Sequence, residues 1–111
     1  MRYTDFMAEL SPQVLHILLS LAESDQHGYA IMQDVAARTN GQLRLSPGTL
    51  YGSIKRMLDD GLIAELRARP LERRRRYRLT ALGRQALKSE IARMSDMVRQ
   101  ARAYGLVPKR A

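Results

Sequence analysis

The stretch Ser46-Pro47-Gly48-Thr49-Leu50-Tyr51-Gly52-Ser53-Ile54-Lys55-Arg56-Met57-Leu58-Asp59-Asp60-Gly61 specifies one bounded helix with two unlike sides. Ser46 offers an oxygen to a free amide, Pro47 loses no hydrogen bond at the first helical position, and Gly61 supplies a stop. Leu50, Ile54, Met57 and Leu58 fall at i, i+4, i+7 and i+8, so one side requires a core to cover it. The other side displays Gly48, Thr49, Gly52, Arg56 and Asp59, with Ser53 and Lys55 at its margins. A glycine inside a helix costs about 1 kcal/mol relative to alanine, and Gly52 leaves this side flat enough for a backbone or groove wall to approach.

Similar punctuation recurs along the chain. Ser11-Pro12 starts a first helix, in which Val14, Leu15, Leu18, Leu19 and Ala22 recur at helical spacing to about Glu23. Ser24 to Gly28 reads as a polar break. A second helix is predicted from Gly28 to about Thr39, with Tyr29, Met32, Val35 and Ala36 toward the core and Asn40-Gly41 as its left-handed end. Leu43 and Leu45 alternate with Gln42 and Arg44, which predicts a very short strand. Beyond Gly61, Leu62 to Ala68 and Arg74 to Thr80 predict two strands joined by the tip Arg69-Pro70-Leu71-Glu72-Arg73. Thr80 then caps a last helix, in which Leu87, Ile91, Met94, Val98 and Ala101 follow the alternating spacing of a coiled-coil seam until Gly105 and Pro108 end it. Such a helix of about 24 residues would be roughly 36 Å long. A domain of this size covers only part of that length, so the seam predicts a homodimer; packing of the whole stripe on its own domain is the alternative.

Three helices, a two-stranded hairpin and a final helix make a mainly α chain with a small β-hairpin, the order of a winged helix-turn-helix. Residues 1–80 are assigned to the winged domain with its N-terminal segment, and residues 81–111 to a C-terminal dimerisation helix and tail. The net charge of +8 is placed unevenly. The first 40 residues hold two basic and five acidic side chains, a balance of −3 that leaves +11 for the remainder. Seven of the twelve residues from Arg67 to Arg78 are Arg, and like charges this dense repel one another, so an external polyanion is the simplest reason to keep them together. The absence of Cys excludes disulfides and thiolate metal sites and fits a reducing cytoplasm. No apolar run approaches the roughly 20 residues that span a bilayer, and the first six residues lack the apolar core of a signal peptide. A cytoplasmic protein without membrane contact, cofactor or metal is expected.

The segments His27-Gly28-Tyr29-Ala30-Ile31, Ser46-Pro47-Gly48-Thr49-Leu50-Tyr51, Gly61-Leu62-Ile63 and Tyr77-Arg78-Leu79-Thr80-Ala81-Leu82-Gly83-Arg84, in this order, resemble the PadR-like transcriptional regulators over roughly Ser11 to Leu87. The resemblance implies a homodimeric bacterial or archaeal transcription factor, usually a repressor. Its winged domain would bind a palindromic operator and its C-terminal helix would dimerise, and the short tail looks like the compact subgroup with a single C-terminal helix. One departure is visible: family members commonly carry Pro after the Leu-Tyr pair, where Gly52 stands here.

Double-stranded DNA is therefore the expected partner, with the third helix as major-groove reader. Ser46, Gly48, Thr49, Gly52, Ser53, Lys55 and Arg56 are its candidate contacts, and Tyr51, at the edge of the apolar stripe, would pack its ring and turn its hydroxyl to a phosphate. Tyr29 joins them through the family motif. On the hairpin, Arg75 shares parity with Tyr77 and Leu79, whereas Arg74, Arg76 and Arg78 point the other way; Arg73, Arg74 and Arg76 are the candidates for phosphates or a minor groove. An RNA-binding or protein-interaction winged helix is the rival reading, and the scarcity of aromatics, one Phe and five Tyr, weighs against single-strand stacking. Enzyme chemistry finds no support: His16 sits among Leu15, Ile17 and Leu18 as a satisfied structural histidine, and no paired carboxylates or metal spacing accompany it. A small-molecule effector of unknown identity is a further possible partner, with Tyr3, Phe6, Met7, Leu10, Met94 and Met97 as candidates to line its pocket; ordinary packing is their plainer role.

Overall fold

Hydroxyl caps and left-handed stops fix where the elements begin and end. The computed structural model describes residues 10–66, 70–71 and 73–109. Helix α1 (Pro12–Glu23) starts where Ser11 Oγ accepts from the Val14 amide at 3.2 Å. Helix α2 (Gly28–Arg38) runs into Asn40 and Gly41, both at positive φ, and the Gly41 amide returns to the Ala36 carbonyl at 2.7 Å. Helix α3 (Pro47–Asp59) starts with Ser46 Oγ accepting from the Thr49 amide at 3.1 Å. It ends at Gly61, where the amides of Gly61 and Leu62 donate back to the carbonyls of Leu58 and Met57. Helix α4 (Ala81–Arg102) begins at Thr80, whose Oγ1 accepts from the Gly83 amide at 3.0 Å and donates to the Gly61 carbonyl at 2.6 Å. One threonine thus ties the end of α3 to the start of α4.

Three short strands, β1 (Gln26–His27), β2 (Ile63–Leu66) and β3 (Arg76–Leu79), form an antiparallel sheet with β3 in the middle. Tyr77 faces Gln26 on one side and Glu65 on the other. Two expectations are corrected here. The alternation at Leu43 and Leu45 does not form a strand; Leu45 is buried and Leu43 packs against the core, so the pattern records a loop dipping inward. The strand lies instead in the polar break before α2. There the Gln26 side-chain amide donates to the carbonyl and the hydroxyl of Ser20, each at 2.8 Å, which pins the segment to α1 while its backbone pairs with β3. Strand β3 is also shorter than the predicted Arg74 to Thr80, since Arg74 and Arg75 precede it; the predicted end of the first hairpin strand at residues 67–68, and residues 69 and 72 of the tip, lie outside the described residues.

The core joins Ile17 and Leu18 of α1, Ile31 and Val35 of α2, Leu50, Ile54 and Met57 of α3, the Leu62-Ile63 pair, Tyr77, and Ala86 and Leu87 of α4. The stripe of α2 is thus Ile31 and Val35 with Met32 partly buried, and Tyr29, expected toward the core, is 56% exposed. Its position in the first turn of α2 carries it past the edge of the packed layer. A β-carbon on Gly83 would lie 2.0 Å from the Leu62 carbonyl oxygen, so α4 crosses the chain entering β2 with backbone nearly against backbone. Glu90, one turn beyond Leu87, is buried and held by Arg93 Nη2 at 2.7 Å. From Ile91 to Gln100 every residue of α4 is exposed.

A polar cluster locks α1 to α2. Ser20, fully buried, donates to Asp34 Oδ2 at 2.6 Å, and Arg38 Nε donates to the same oxygen at 2.7 Å while its Nη2 pairs with Glu23. Burial pushes the Asp34 carboxyl up, but the Ser20 hydroxyl, the Arg38 guanidinium and the Gln26 amide outweigh it and hold the carboxyl below its ordinary value. The Asp34 hydrogen bond, against the opposing effect of burial, raises Arg38 correspondingly.

Candidate nucleic-acid interface

The exposed face of α3 carries the side chains that its sequence assigns to it. Ser46, Gly48, Thr49, Gly52, Lys55 and Arg56 are exposed and Ser53 is half-buried. A β-carbon added at Gly48 or Gly52 would meet nothing within 4 Å, so packing inside the protein requires glycine at neither position. The helix runs unbroken through Gly52, where the family pattern has Pro. Lys55 Nζ lies 3.2 Å from Asp59 Oδ2, one turn on, which shares its charge along the surface; no ion pair engages Arg56 among the described residues.

Tyr51 is 49% exposed, and its ring lies across Gly28 at the start of α2. Together they open a cleft of about 450 Å³ whose walls are His27, Gly28 and Tyr29 on one side, Tyr51 on another, and Arg73, Arg74 and Arg75 of the wing opposite, with Tyr77 also lining it. The first turn of α2, the Tyr51 edge of α3 and the wing therefore converge on one place. Arg73 and Arg74 are exposed and engage no carboxylate among the described residues. Arg75 faces Glu65 loosely at 3.8 Å. Arg76 is half-buried within β3 and opposite His27. Burial, then the nearby Glu65 carboxylate and Tyr51, push the Tyr77 phenol above its ordinary range against the opposing charge of Arg75. Three of these residues escape a reading by strand parity and helix period: Gly28, because its role depends on a ring from another helix, and Arg75 and Tyr77, because their parity assigns them to the inner face. Leu71, 96% exposed beside Pro70, is a further apolar group at the wing tip.

The seam residues of α4 divide. Leu87 is 7% exposed and belongs to the core of its own domain, Ile91, Met94 and Val98 are exposed, and Ala101 is half-buried. Pro12, Leu15, His16 and Leu19 of α1 form an apolar groove with Leu87, Ile91 and Met94. His16 Nδ1 is enclosed there without a hydrogen-bond partner among the described residues. Of the candidate effector residues, Leu10 is half-buried, Met94 and Met97 are exposed, and Tyr3, Phe6 and Met7 lie outside the described residues. Among the described residues no group of three or more His, Cys, Asp or Glu could hold a metal ion, and no helix is long and apolar enough to cross a membrane.

Comparison with known proteins fits this geometry. The Transcriptional regulator PadR-like family matches residues 15–89. The chain is 36% identical over 87 residues to Transcriptional regulator Rv3488 of Mycobacterium tuberculosis, covering 78% of each chain. Among solved structures it resembles a PadR family transcription regulator of Clostridium difficile R20291, at TM-score 0.65 and 24% identity over 81% of this chain and 96% of that one. It resembles RosR of H. salinarum at TM-score 0.70 and 20% identity, over 88% and 90% respectively. A family match over most of the chain, carried on a winged helix in which Tyr51 of α3 and the basic wing meet at one cleft, makes this protein a member of the PadR-like family, a DNA-binding transcriptional regulator and not an enzyme.

Proposed function

We propose that the chain binds operator DNA as a homodimer and represses transcription by occluding polymerase, with residues 1–80 reading the duplex and residues 81–111 joining the subunits. Helix α3 enters the major groove, presenting Thr49, Ser53 and Arg56 to base edges and phosphates, while Arg73 and Arg74 lie along the flanking backbone. The reading rests chiefly on the convergence of α3, the start of α2 and the wing arginines at one cleft. Ile91, Met94, Met97 and Val98, apolar and exposed on one helix, support the dimer.

Selection of bound sequences from random duplex DNA tests the proposal. An inverted repeat with half-site centres about 10 base pairs apart is expected, because two reading helices in successive major grooves stand roughly 34–36 Å apart. Recovery of no symmetric sequence would remove the dimeric operator, and tighter retention of single-stranded RNA than of duplex DNA at equal salt would favour the RNA reading.

A further inference from the structure

We propose that Gly28 is a positioning residue: its missing side chain lets Tyr51 lie across the start of α2, where the Tyr51 hydroxyl donates to a backbone phosphate seated in the wing cleft. This refines, and rests on, the duplex-binding reading above.

The three atoms nearest to a β-carbon built on Gly28 all belong to Tyr51, with Oη at 2.6 Å and two ring carbons at 3.0 Å. Gly28 is absent from the positive-φ positions, so its backbone does not itself call for glycine. What alanine would displace is the Tyr51 ring. That ring is half exposed and can swing into solvent, so the substitution should move the tyrosine rather than the fold.

The cleft beside Tyr51 has the chemistry of an anion seat. Among the described residues its lining includes three guanidinium groups and no carboxylate, with Arg75 facing Glu65 at 3.8 Å. Tyr77, 3% exposed, also lines it, and its hydroxyl engages no hydrogen bond among the described residues. Phenol donors beside guanidinium cations match the oxygens of a phosphodiester.

The test is a mutant cycle of Tyr51→Phe, Gly28→Ala and the double variant, titrated with a mixed-sequence DNA duplex at several salt concentrations. Loss of the hydroxyl should weaken binding about fivefold. Gly28→Ala should weaken it at least as much, and the double variant should bind like Gly28→Ala alone. The salt slope should hold in all three, because a neutral donor releases no counterion. Losses that multiply across the cycle, or a Tyr51→Phe protein with full affinity, would overturn the proposal while leaving duplex binding intact. If the wild-type protein fails to bind duplex DNA, the underlying reading falls with it. Where Gly28→Ala loses its fold, Tyr51→Ala with and without Gly28→Ala decides: equal affinity supports the positioning role, and a further loss on adding Gly28→Ala refutes it.

Discussion

Gly52 and Gly83 both sit inside helices, yet their surroundings make opposite demands. Nothing within 4 Å would meet a β-carbon at Gly52, so Gly52→Ala should stabilise the fold by roughly 0.5–1 kcal/mol through helix propensity. The same methyl would stand on the face offered to DNA, and affinity should fall; denaturant unfolding and duplex titration measure the two effects. Unchanged affinity would mean that α3 does not approach its ligand closely at this point. At Gly83 the obstacle is the Leu62 carbonyl oxygen at 2.0 Å, and a backbone cannot rotate aside as a side chain can. Gly83→Ala should therefore destabilise the protein by about 2–3 kcal/mol, read from the denaturation midpoint.

Among the elements, the α1–α2 pair carries a pH dependence. Asp34 is held below its ordinary 3.8 in the folded state, so its stabilising effect is complete above the unfolded carboxylate value and is lost as pH falls through the folded one. Thermal melts on acidification should show a steeper decline for the wild-type protein than for Asp34→Asn. For the wing, Arg73→Ala and Arg74→Ala should each weaken binding to all duplex sequences and lower the salt slope by about 0.9 per lost phosphate contact. A slope that does not move would detach the wing from the backbone. The four helices are legible in the sequence because caps at Ser11, Ser46 and Thr80 and stops at Asn40-Gly41 and Gly61 act within a turn of where they stand. Strand β1 is not, because two residues become a strand only beside Arg76 and Tyr77. The polar face of α3 follows from spacing alone, whereas the outward turn of Tyr29 and the contact of Tyr51 with Gly28 depend on how two helices meet.

The molecule as a whole is elongated, 55 × 37 × 22 Å, with a radius of gyration of 15.6 Å against about 13 Å for a compact chain of 100 residues. Helix α4 supplies the extension: its first turns are built into the core and the stretch from Ile91 onward projects with apolar side chains uncovered. Ile91→Glu or Met94→Glu should leave the winged domain folded but shift sedimentation from dimer to monomer, with a matching loss of operator affinity. Retention of a dimer in both would place the subunit contact elsewhere. In the proposed dimer, the close crossing of Gly83 over Leu62 would govern how far apart the two heads stand. Because backbone lies nearly against backbone at that crossing, with Ala86 and Leu87 of the same helix packed in the core beside it, a proposed pair of heads would keep one fixed stride. Lengthening the gap between half-sites by a single base pair, about a tenth of a turn, should be punished far more than a change in the bases within it.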